Sequence, residues 1–511
     1  MPFGPSSPRL AIYRNRPQLC VGLLLLAWTC VVRLPFLHVI HDDEAFYSVV
    51  ASRWLRGELP YVSSFDVKAP GVFALFAAVQ ALFGASLGVI KGLEVVFTVL
   101  GAFGLYRLLI RHASAWTGIC AGALYPIYSL ILLGVSSPCQ IVQAALTIWA
   151  FAFALDSLVD KTCARKVWAG KTGRAAALAG LMIGLAITIK QTAVFEASAL
   201  LFVVMWQTRA WRPVVAFLGA CALPGLGFML YFAVAGHLAD AVDAVVTLAG
   251  LRSQANMSQA PAAWYLDGLA RLGHYPALIK PLLVVTCGAA LALLRRKRLN
   301  TVFDLPIVDL TLVWYAGAVI GMLVVRSPEA WYAVPLIAPS LILFVLVLRH
   351  GIAFAPRVRP WWIAAYVAAA VVQPLVLAAP SLIGQGALGP PDWQGNKHAA
   401  QVLVASGLRP DDTLLVLSRG QYVYLLTGAL PRARYFNAMH LLCDFPTPDA
   451  DPLAAAFATR PKFVVMSDEG LALSCAEGSQ LLRIREALAH DYISLGTVTG
   501  AWDHFALYRL R

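Results

Sequence analysis

The chain has 511 residues, of which 59% are hydrophobic and only 13% charged, and its mean hydropathy is +0.71. These values exclude an ordinary soluble protein and indicate a polytopic α-helical membrane protein. The net charge of +13 is spread over short basic clusters between apolar segments, which is typical of cytoplasmic loops, so no nucleic-acid partner is expected.

Apolar runs of about 20 residues, the length that crosses a bilayer, recur along the first three quarters of the chain. They predict about eleven transmembrane helices, at 19–40, 87–110, 114–134, 139–157, 175–190, 192–207, 214–235, 275–294, 305–325, 332–348 and 361–383. The apolar segment 71–84 is shorter and predicts a re-entrant or interfacial helix. If it does not cross, every second loop is basic, as the positive-inside rule requires of a cytoplasmic N-terminus.

The polarity pattern changes after residue 383. Residues 384–394 are rich in glycine and proline and predict a linker between a membrane domain, 1–383, and a small α/β domain, 395–511. By the loop charges this second domain lies outside the cytoplasm. Two short apolar runs, 413–417 and 463–466, predict buried parallel strands. Two periodic segments, 397–406 and 480–489, predict helices, and residues 504–510 predict a last strand.

Two cysteines, Cys443 and Cys475, belong to the predicted α/β domain. An oxidising compartment would permit them to form a disulfide, but a sequence does not supply the geometry that a disulfide needs. Pairing and free thiols are both left open.

Carboxylates and a lysine gather in the loop after the first predicted helix, within the segment 41–84. Asp43 and Glu44 precede a helical stripe of apolar residues, and Asp66 and Lys68 precede the interfacial segment. Taken singly, acids at a helix start are favourable caps, and a lysine beside a membrane often snorkels. Because ionisable groups at a membrane are costly, their combination predicts a functional site.

The order of motifs in this loop resembles a known family. The loop contains an acidic pair followed by an aromatic residue, then Gly-x-x-Pro-Tyr, then Asp-x-Lys-x-Pro, carried here by Asp43-Glu44 with Tyr47, Gly57 to Tyr61, and Asp66 to Pro70. This series resembles the first periplasmic loop of the GT-C superfamily of polyprenyl-phosphate-sugar-dependent glycosyltransferases. The most similar branch contains the lipid A aminoarabinose transferases and rhizobial galacturonosyltransferases, with the protein O-mannosyltransferases more distant.

Two later segments are also similar to that family. A glycine-rich helix ends at Lys190-Gln191, where the family has Lys-Gln or Lys-Pro, and Trp331-Tyr332 lies where many relatives have His-Tyr. After the third span, where relatives often carry an acid, this chain has Cys139-Gln140.

The resemblance implies a GT-C-like fold in a bacterial inner membrane and transfer of a sugar from a polyprenyl phosphate to a hydroxyl of a lipid, glycan or protein. It implies that Asp43 is the general base, with Glu44 as its helper or as a group that orients the acceptor, and that Lys68 and Lys190 bind the donor phosphate. Substrate contacts are expected from Tyr47, Tyr61, Asp66, Gln191 and Tyr332. No cofactor is expected, and a divalent metal is compatible with this chemistry but not required.

Two other classes of function fit some of these features. A secondary transporter would use outward polar groups beside a helix pair broken at Lys190, but the sequence shows no inverted repeat. A non-catalytic membrane scaffold would use the C-terminal domain to bind a partner, but has no need for the acids and lysine of the loop.

Overall fold

The structure is a computed structural model of the full chain. It describes residues 8–39, 42–132, 138–158, 171–208, 210–252, 305–325, 330–353, 367–372, 375–376, 379–380, 383, 393–417, 420–437, 440–441, 447–467, 478–500 and 504–511. The predicted span 275–294, most of the span 361–383 and the linker, and both Cys443 and Cys475 lie outside these ranges.

The described part of the chain is a polytopic helical membrane protein. Among the described residues, seven helical segments are long and apolar enough to cross a membrane, namely Gln18–Phe36, Leu87–His112, Cys139–Asp156, Thr172–Ile189, Trp211–Val234, Ile307–Val325 and Trp331–Arg349. Three shorter apolar helices accompany them: Pro70–Phe83, Ala115–Ile131 and Ala193–Trp206. The total of about eleven spans stays a prediction.

The described residues of the membrane region form helices over most of their length. The α-helices among these described residues are α1 Pro8–Arg33, α2 Asp42–Leu55, α3 Pro70–Phe83, α4 Leu87–His112, α5 Ala115–Ile131, α6 Pro138–Leu158, α7 Lys171–Ile189, α8 Ala193–Thr208, α9 Trp211–Val234, α10 Leu238–Val242, α11 Leu305–Val325 and α12 Ile337–Ala353, and a π-helical turn, Asp243–Leu248, continues α10. Serine side chains cap two of them: Ser86 Oγ accepts the N–H of Val89 at the start of α4, and Ser114 Oγ accepts that of Thr117 in α5.

The segment predicted as an interfacial helix is α3, which begins at Pro70, a favourable first helical residue. Gly71 in its first turn lies directly against the end of α7, since a Cβ there would be 2.5 Å from the Thr188 carbonyl oxygen. The missing side chain thus brings the loop before α3 beside the residues that follow α7.

Helices α7 and α9 are in close backbone contact through two glycines spaced four residues apart. A Cβ at Gly180 would overlap the carbonyl of Phe217, and one at Gly184 would overlap the carbonyl of Cys221. A small-xxx-small pattern of this kind allows van der Waals packing between membrane helices, where lipid supplies little hydrophobic driving force.

The C-terminal region, residues 393–511, contains a four-stranded sheet in the order β1-β2-β4-β3. Its strands are β1 Leu414–Val416, β2 Phe463–Ser467, β3 Tyr492–Thr499 and β4 His504–Leu510, and its helices are α13 Trp393–Ala405, α14 Tyr422–Thr427, α15 Pro452–Ala458 and α16 Gly478–Asp491. Strands β1 and β2 are parallel, with Leu414 opposite Phe463, while β4 pairs antiparallel with β2 and β3. One apolar core continues from this region into α2 and α3.

The glycine packing of α7 on α9 yields a stability prediction. Gly180→Ala should lower the free energy of unfolding by about 1–3 kcal/mol, because the added methyl group overpacks the interface. Gly219→Ala, on α9 with no atom near its would-be Cβ, is the matched control and should not destabilise the protein. Thermal unfolding in detergent measures both, and an equal response of the two variants would contradict the packing argument.

Candidate active site

The loop between α2 and α3 folds back on itself around Tyr61. The Tyr61 hydroxyl donates to the carbonyl of Lys68 at 2.8 Å, and its backbone N–H donates to the carbonyl of Ser64 at 2.8 Å. Tyr61 has a φ of 70°, a left-handed conformation that costs energy for a residue other than glycine. Its side chain is fully buried, so packing and hydrogen bonds hold this turn and place Lys68 next to the start of α2.

The Lys68 ammonium lies among two carboxylates and an aromatic ring. Its Nζ is 3.6 Å from Asp43 Oδ1 and 3.6 Å from Asp66 Oδ2, and it lies 4.9 Å from the centre of the Tyr47 ring. The Tyr47 hydroxyl donates to Asp43 Oδ2 at 3.2 Å. Residues from α2 and from the loop before α3 thereby form one cluster.

Exposure differs sharply within this cluster. The side chains of Asp43 and Lys68 are 34% and 29% exposed, whereas the Asp66 side chain is 2% exposed. Asp66 also accepts the backbone N–H of Val67 at 2.7 Å. Asp66 therefore acts as a buried counter-ion for Lys68, while Asp43 and Lys68 are the two groups of the cluster that a ligand can reach.

Neighbouring charges decide the ionisation of Lys68. Burial opposes the charged ammonium, but Asp43 and Asp66 outweigh that effect and raise the pKa of Lys68 above its ordinary value. Lys68 is thus a permanent cation at neutral pH. Burial, together with Asp43, raises the pKa of Tyr47 well above its usual range, so this hydroxyl stays a hydrogen-bond donor.

The residues that follow α7 adjoin the cluster, as the close approach at Gly71 requires. Gln191 Nε2 donates to the carbonyl of Val67 at 2.8 Å and so holds in place the backbone of the loop just before Lys68. Lys190 Nζ lies 4.1 Å from the centre of the Tyr332 ring, a cation–π contact. Burial lowers the pKa of Lys190 to about 7, with Lys68 adding to the effect. The Lys190 amine is therefore only partly protonated at neutral pH.

Glu44, also expected to take part in chemistry, lies on a different side of α2. Its side chain is fully buried, and both its oxygens bond Lys91 Nζ of α4, at 2.8 and 3.0 Å. Lys91 also pairs with Glu94 at 3.2 Å, and Glu94 lies 3.7 Å from Arg33 of α1. The structure thus brings Asp43, Tyr47, Tyr61, Asp66, Lys68 and Gln191 together, with Lys190 and Tyr332 beside them, and gives Glu44 a separate set of partners.

Sequence analysis did not single out Lys91, Glu94 or Arg33. The signal was available, since a lysine and a glutamate three residues apart in an apolar span are costly and rare. A second buried acid of the membrane helices, Glu196 of α8, accepts hydrogen bonds from Gln143 Nε2 at 2.7 Å and from Trp314 Nε1 at 2.9 Å.

A segment of the C-terminal region, Arg432–Asn437, packs against the loop, and we call it the docking segment. Arg53 of α2 donates to the carbonyl of Ala433 at 2.8 Å, while Arg434 donates to the carbonyl of Tyr61 at 2.8 Å. The rings of Phe46 and Phe436 stack with centroids 4.8 Å apart. These partners are some 370 residues apart along the chain, and no local pattern indicated them.

His440 follows the docking segment and packs edge-on against Phe65, with ring centroids 5.1 Å apart. Burial lowers its pKa to about 4, with Asp66 partly opposing this, so the imidazole is neutral at physiological pH. His440 therefore adds no positive charge to this side of the cluster, where Arg434 lies over the Phe65 ring at 6.0 Å.

No protein-family model and no curated protein matches the sequence. The fold, in contrast, is similar to that of ArnT from Cupriavidus metallidurans, a lipid A aminoarabinose transferase solved with undecaprenyl phosphate bound. The two share 13% identity and a TM-score of 0.63, over 96% of this chain and 98% of ArnT.

A second similar fold is that of the oligosaccharyltransferase AglB from Archaeoglobus fulgidus, solved with an inhibitory peptide and a dolichol-phosphate. It shares 14% identity and a TM-score of 0.54, over 96% of this chain and 74% of AglB. ArnT and AglB both belong to the GT-C superfamily. The chain therefore has a fold similar to those of two members of the superfamily that the loop motifs resemble.

The contacts of the docking segment yield a prediction. Arg53→Gln should increase hydrogen exchange at residues 432–437 and lower thermal stability, because the glutamine loses the bond to Ala433 and the 2.6 Å ion pair with Glu58. The exposed Arg56→Gln on the same turn is the control and should leave exchange unchanged. Unaltered exchange in Arg53→Gln would show that the segment is held by other contacts.

Proposed function

We propose that the protein is a membrane glycosyltransferase that moves a sugar from a polyprenyl phosphate to a hydroxyl group of a lipid, glycan or protein acceptor. The observation that carries the proposal is the pairing of a partly exposed ammonium, Lys68, with a partly exposed carboxylate, Asp43, within a GT-C fold. The reaction needs one cation for its leaving group and one base for its acceptor, and the cluster offers both.

Lys68 and Lys190 receive the phosphate of the donor. An ammonium attracts an anion as a compact point charge, and the negative charge on this phosphate grows as its bond to the sugar breaks. Lys68 is cationic whether or not a donor is bound, whereas a bound phosphate favours protonation of Lys190. That ArnT and AglB were solved with lipid phosphates supports a ligand of this class.

Asp43 removes the proton of the acceptor. Its carboxylate takes the hydroxyl proton while the acceptor oxygen attacks the anomeric carbon, and the bond from that carbon to the phosphate oxygen breaks. The polyprenyl phosphate leaves with the electron pair, facing Lys68. A single displacement inverts the anomeric centre and needs no second nucleophilic carboxylate.

The remaining cluster residues position these two groups, and Tyr332 adjoins the second cation. Tyr61 and Gln191 hold the backbone around Lys68, Asp66 balances its charge, and Tyr47 orients Asp43. Contact of Tyr47 or Tyr332 with the sugar stays a proposal. The chemistry as proposed uses no metal.

The charge clusters of α4 support a site on the outer face of a bacterial inner membrane. Lys91 lies near the start of α4, and Arg107 lies 16 residues later, which corresponds to roughly 24 Å of helix. Arg107 and Arg111 both pair with Asp156 of α6, at 3.0 and 2.6 Å. With this basic end cytoplasmic, the N-terminus is cytoplasmic, and the cluster and the C-terminal α/β domain, 395–511, face outwards.

The first prediction of the proposed function distinguishes an enzyme from a transporter or a scaffold. Asp43→Asn should reduce turnover by about 10²- to 10⁴-fold, because the acceptor proton loses its base. Binding of undecaprenyl phosphate and the thermal unfolding temperature should stay near those of the wild type. Mass spectrometry of lipid A and envelope glycans from deletion cells complemented with either form measures the product in vivo. Full complementation by Asp43→Asn would refute the proposed chemistry.

The second prediction concerns pH and Lys190. Affinity for the sugar donor should fall about tenfold as the pH rises through about 7, because Lys190 of the unliganded protein loses its proton in that range. A hydrogen bond from a charged ammonium to the phosphate is stronger than one from a neutral amine. Lys190→Arg should abolish this dependence, since arginine remains charged. Equilibrium binding of a polyprenyl-phosphate sugar, whose phosphodiester keeps one negative charge between pH 6 and 8, measures both forms, and identical curves would contradict the role of Lys190.

The third prediction concerns metal. Turnover should persist after exhaustive treatment with a chelator, because two ammonium groups stabilise the departing phosphate. Loss of turnover that added divalent ions restore would require a metal in the mechanism.

A further inference from the structure

We infer that Glu44 is a positioning residue, whose ion pair with Lys91 fixes the rotation of α2 and thereby aims the neighbouring Asp43 at Lys68. The inference rests on the proposed function, since it concerns the base of that reaction. It changes the role that the acidic pair suggested, in which both carboxylates take part in chemistry.

The first argument is burial. The Glu44 side chain has no exposed surface, and Lys91 and Glu94 are each 2% exposed. A group that takes a proton from an acceptor must touch that acceptor, but the buried Glu44 carboxylate has both of its oxygens bonded to the Lys91 ammonium. Asp43, in contrast, is one third exposed.

The second argument is charge balance. Two acids, Glu44 and Glu94, and two bases, Lys91 and Arg33, form a cluster that joins α2 to α4 and α1. Burial and the neighbouring Glu94 raise the pKa of Glu44 well above its usual range, and Lys91 opposes this shift by stabilising the carboxylate. Removing one member leaves an uncompensated charge away from water, which is far more costly than removing an oppositely charged pair. The charge pairing in this cluster therefore ties α2 to α4 and α1.

The third argument is helix geometry. Consecutive residues of an α-helix point about 100° apart around the axis. Once Glu44 is fixed on Lys91 of α4, the direction of Asp43 is fixed as well, towards Lys68 and the Tyr47 hydroxyl. Displacing a reacting group by about 1 Å can lower a rate by about 100-fold, so the precision of this anchor affects turnover directly.

A charge-compensated pair of variants tests the inference. Glu44→Gln should lower kcat by about 100-fold, because Lys91 and Arg33 are left with a single acid and the anchor loosens. Exchanging the two partners, Glu44→Lys with Lys91→Glu, restores an ion pair between α2 and α4 and keeps the charge balance of the cluster, and this double variant should recover at least tenfold of the loss. The exposed Glu486→Gln of α16 is the control for an acid-to-amide change and should match the wild type.

Two further measurements separate positioning from proton transfer. The pH profile of residual kcat in Glu44→Gln should keep the shape of the wild type, because Asp43 still accepts the proton, and KM for the donor should change less than threefold. If Glu44 were the proton acceptor, the double variant would be as inactive as Glu44→Gln, and that result would overturn the inference.

Glu44→Asp covers the case in which the amide variant does not fold. It keeps the charge but shortens the side chain by one methylene, and kcat should fall about tenfold while the protein stays folded. Wild-type turnover in Glu44→Asp would overturn the inference. Active Asp43→Asn would instead refute the proposed reaction, so the two failures are distinguishable.

Discussion

The arrangement of the candidate site depends on one electrostatic constraint: an ionised group removed from water needs an opposite charge beside it. Glu44 meets this constraint through Lys91 at 2.8 Å, and its neighbour Asp43 meets Lys68 at 3.6 Å on another side of α2. The two pairings together hold the helix in one rotation. Adjacent acids of the same motif thereby acquire different environments, one dry and one open to a ligand.

The lysine of the pair is presented by a loop whose own conformation is unfavourable. Tyr61 sits in a left-handed backbone region, and two elements from elsewhere in the chain support it: Arg434 bonds its carbonyl, and Gln191 bonds the loop two residues after Phe65. A strained backbone conformation of this kind persists where packing and hydrogen bonds with the surrounding residues offset its cost, and it is common at functional sites. In the proposed reaction, a donor phosphate would draw Lys68 away from Asp43 and leave that carboxylate free to act as a base.

Much of the fold was accessible from the sequence. The apolar run at 87–110 is helix α4, Leu87–His112, and the short run at 71–84 is α3, Pro70–Phe83, because hydrophobic length and proline position are local properties. The apolar runs near 413–417 and 463–466 form parallel neighbours in the sheet. Their order with β3 and β4 was not accessible, since strand pairing joins residues that no local period links.

For the candidate site, the sequence by itself determined which chemical groups are present and that Asp43, Tyr47, Asp66 and Lys68 lie within one segment, 41–84, because motif order and spacing are properties of the linear chain. Only the tertiary structure decided which groups meet. It turned Glu44 towards α4 and folded the docking segment onto a loop some 370 residues away. The physical reason is that charge pairing and burial act through space, and a contact between distant residues exists only once the helices have packed.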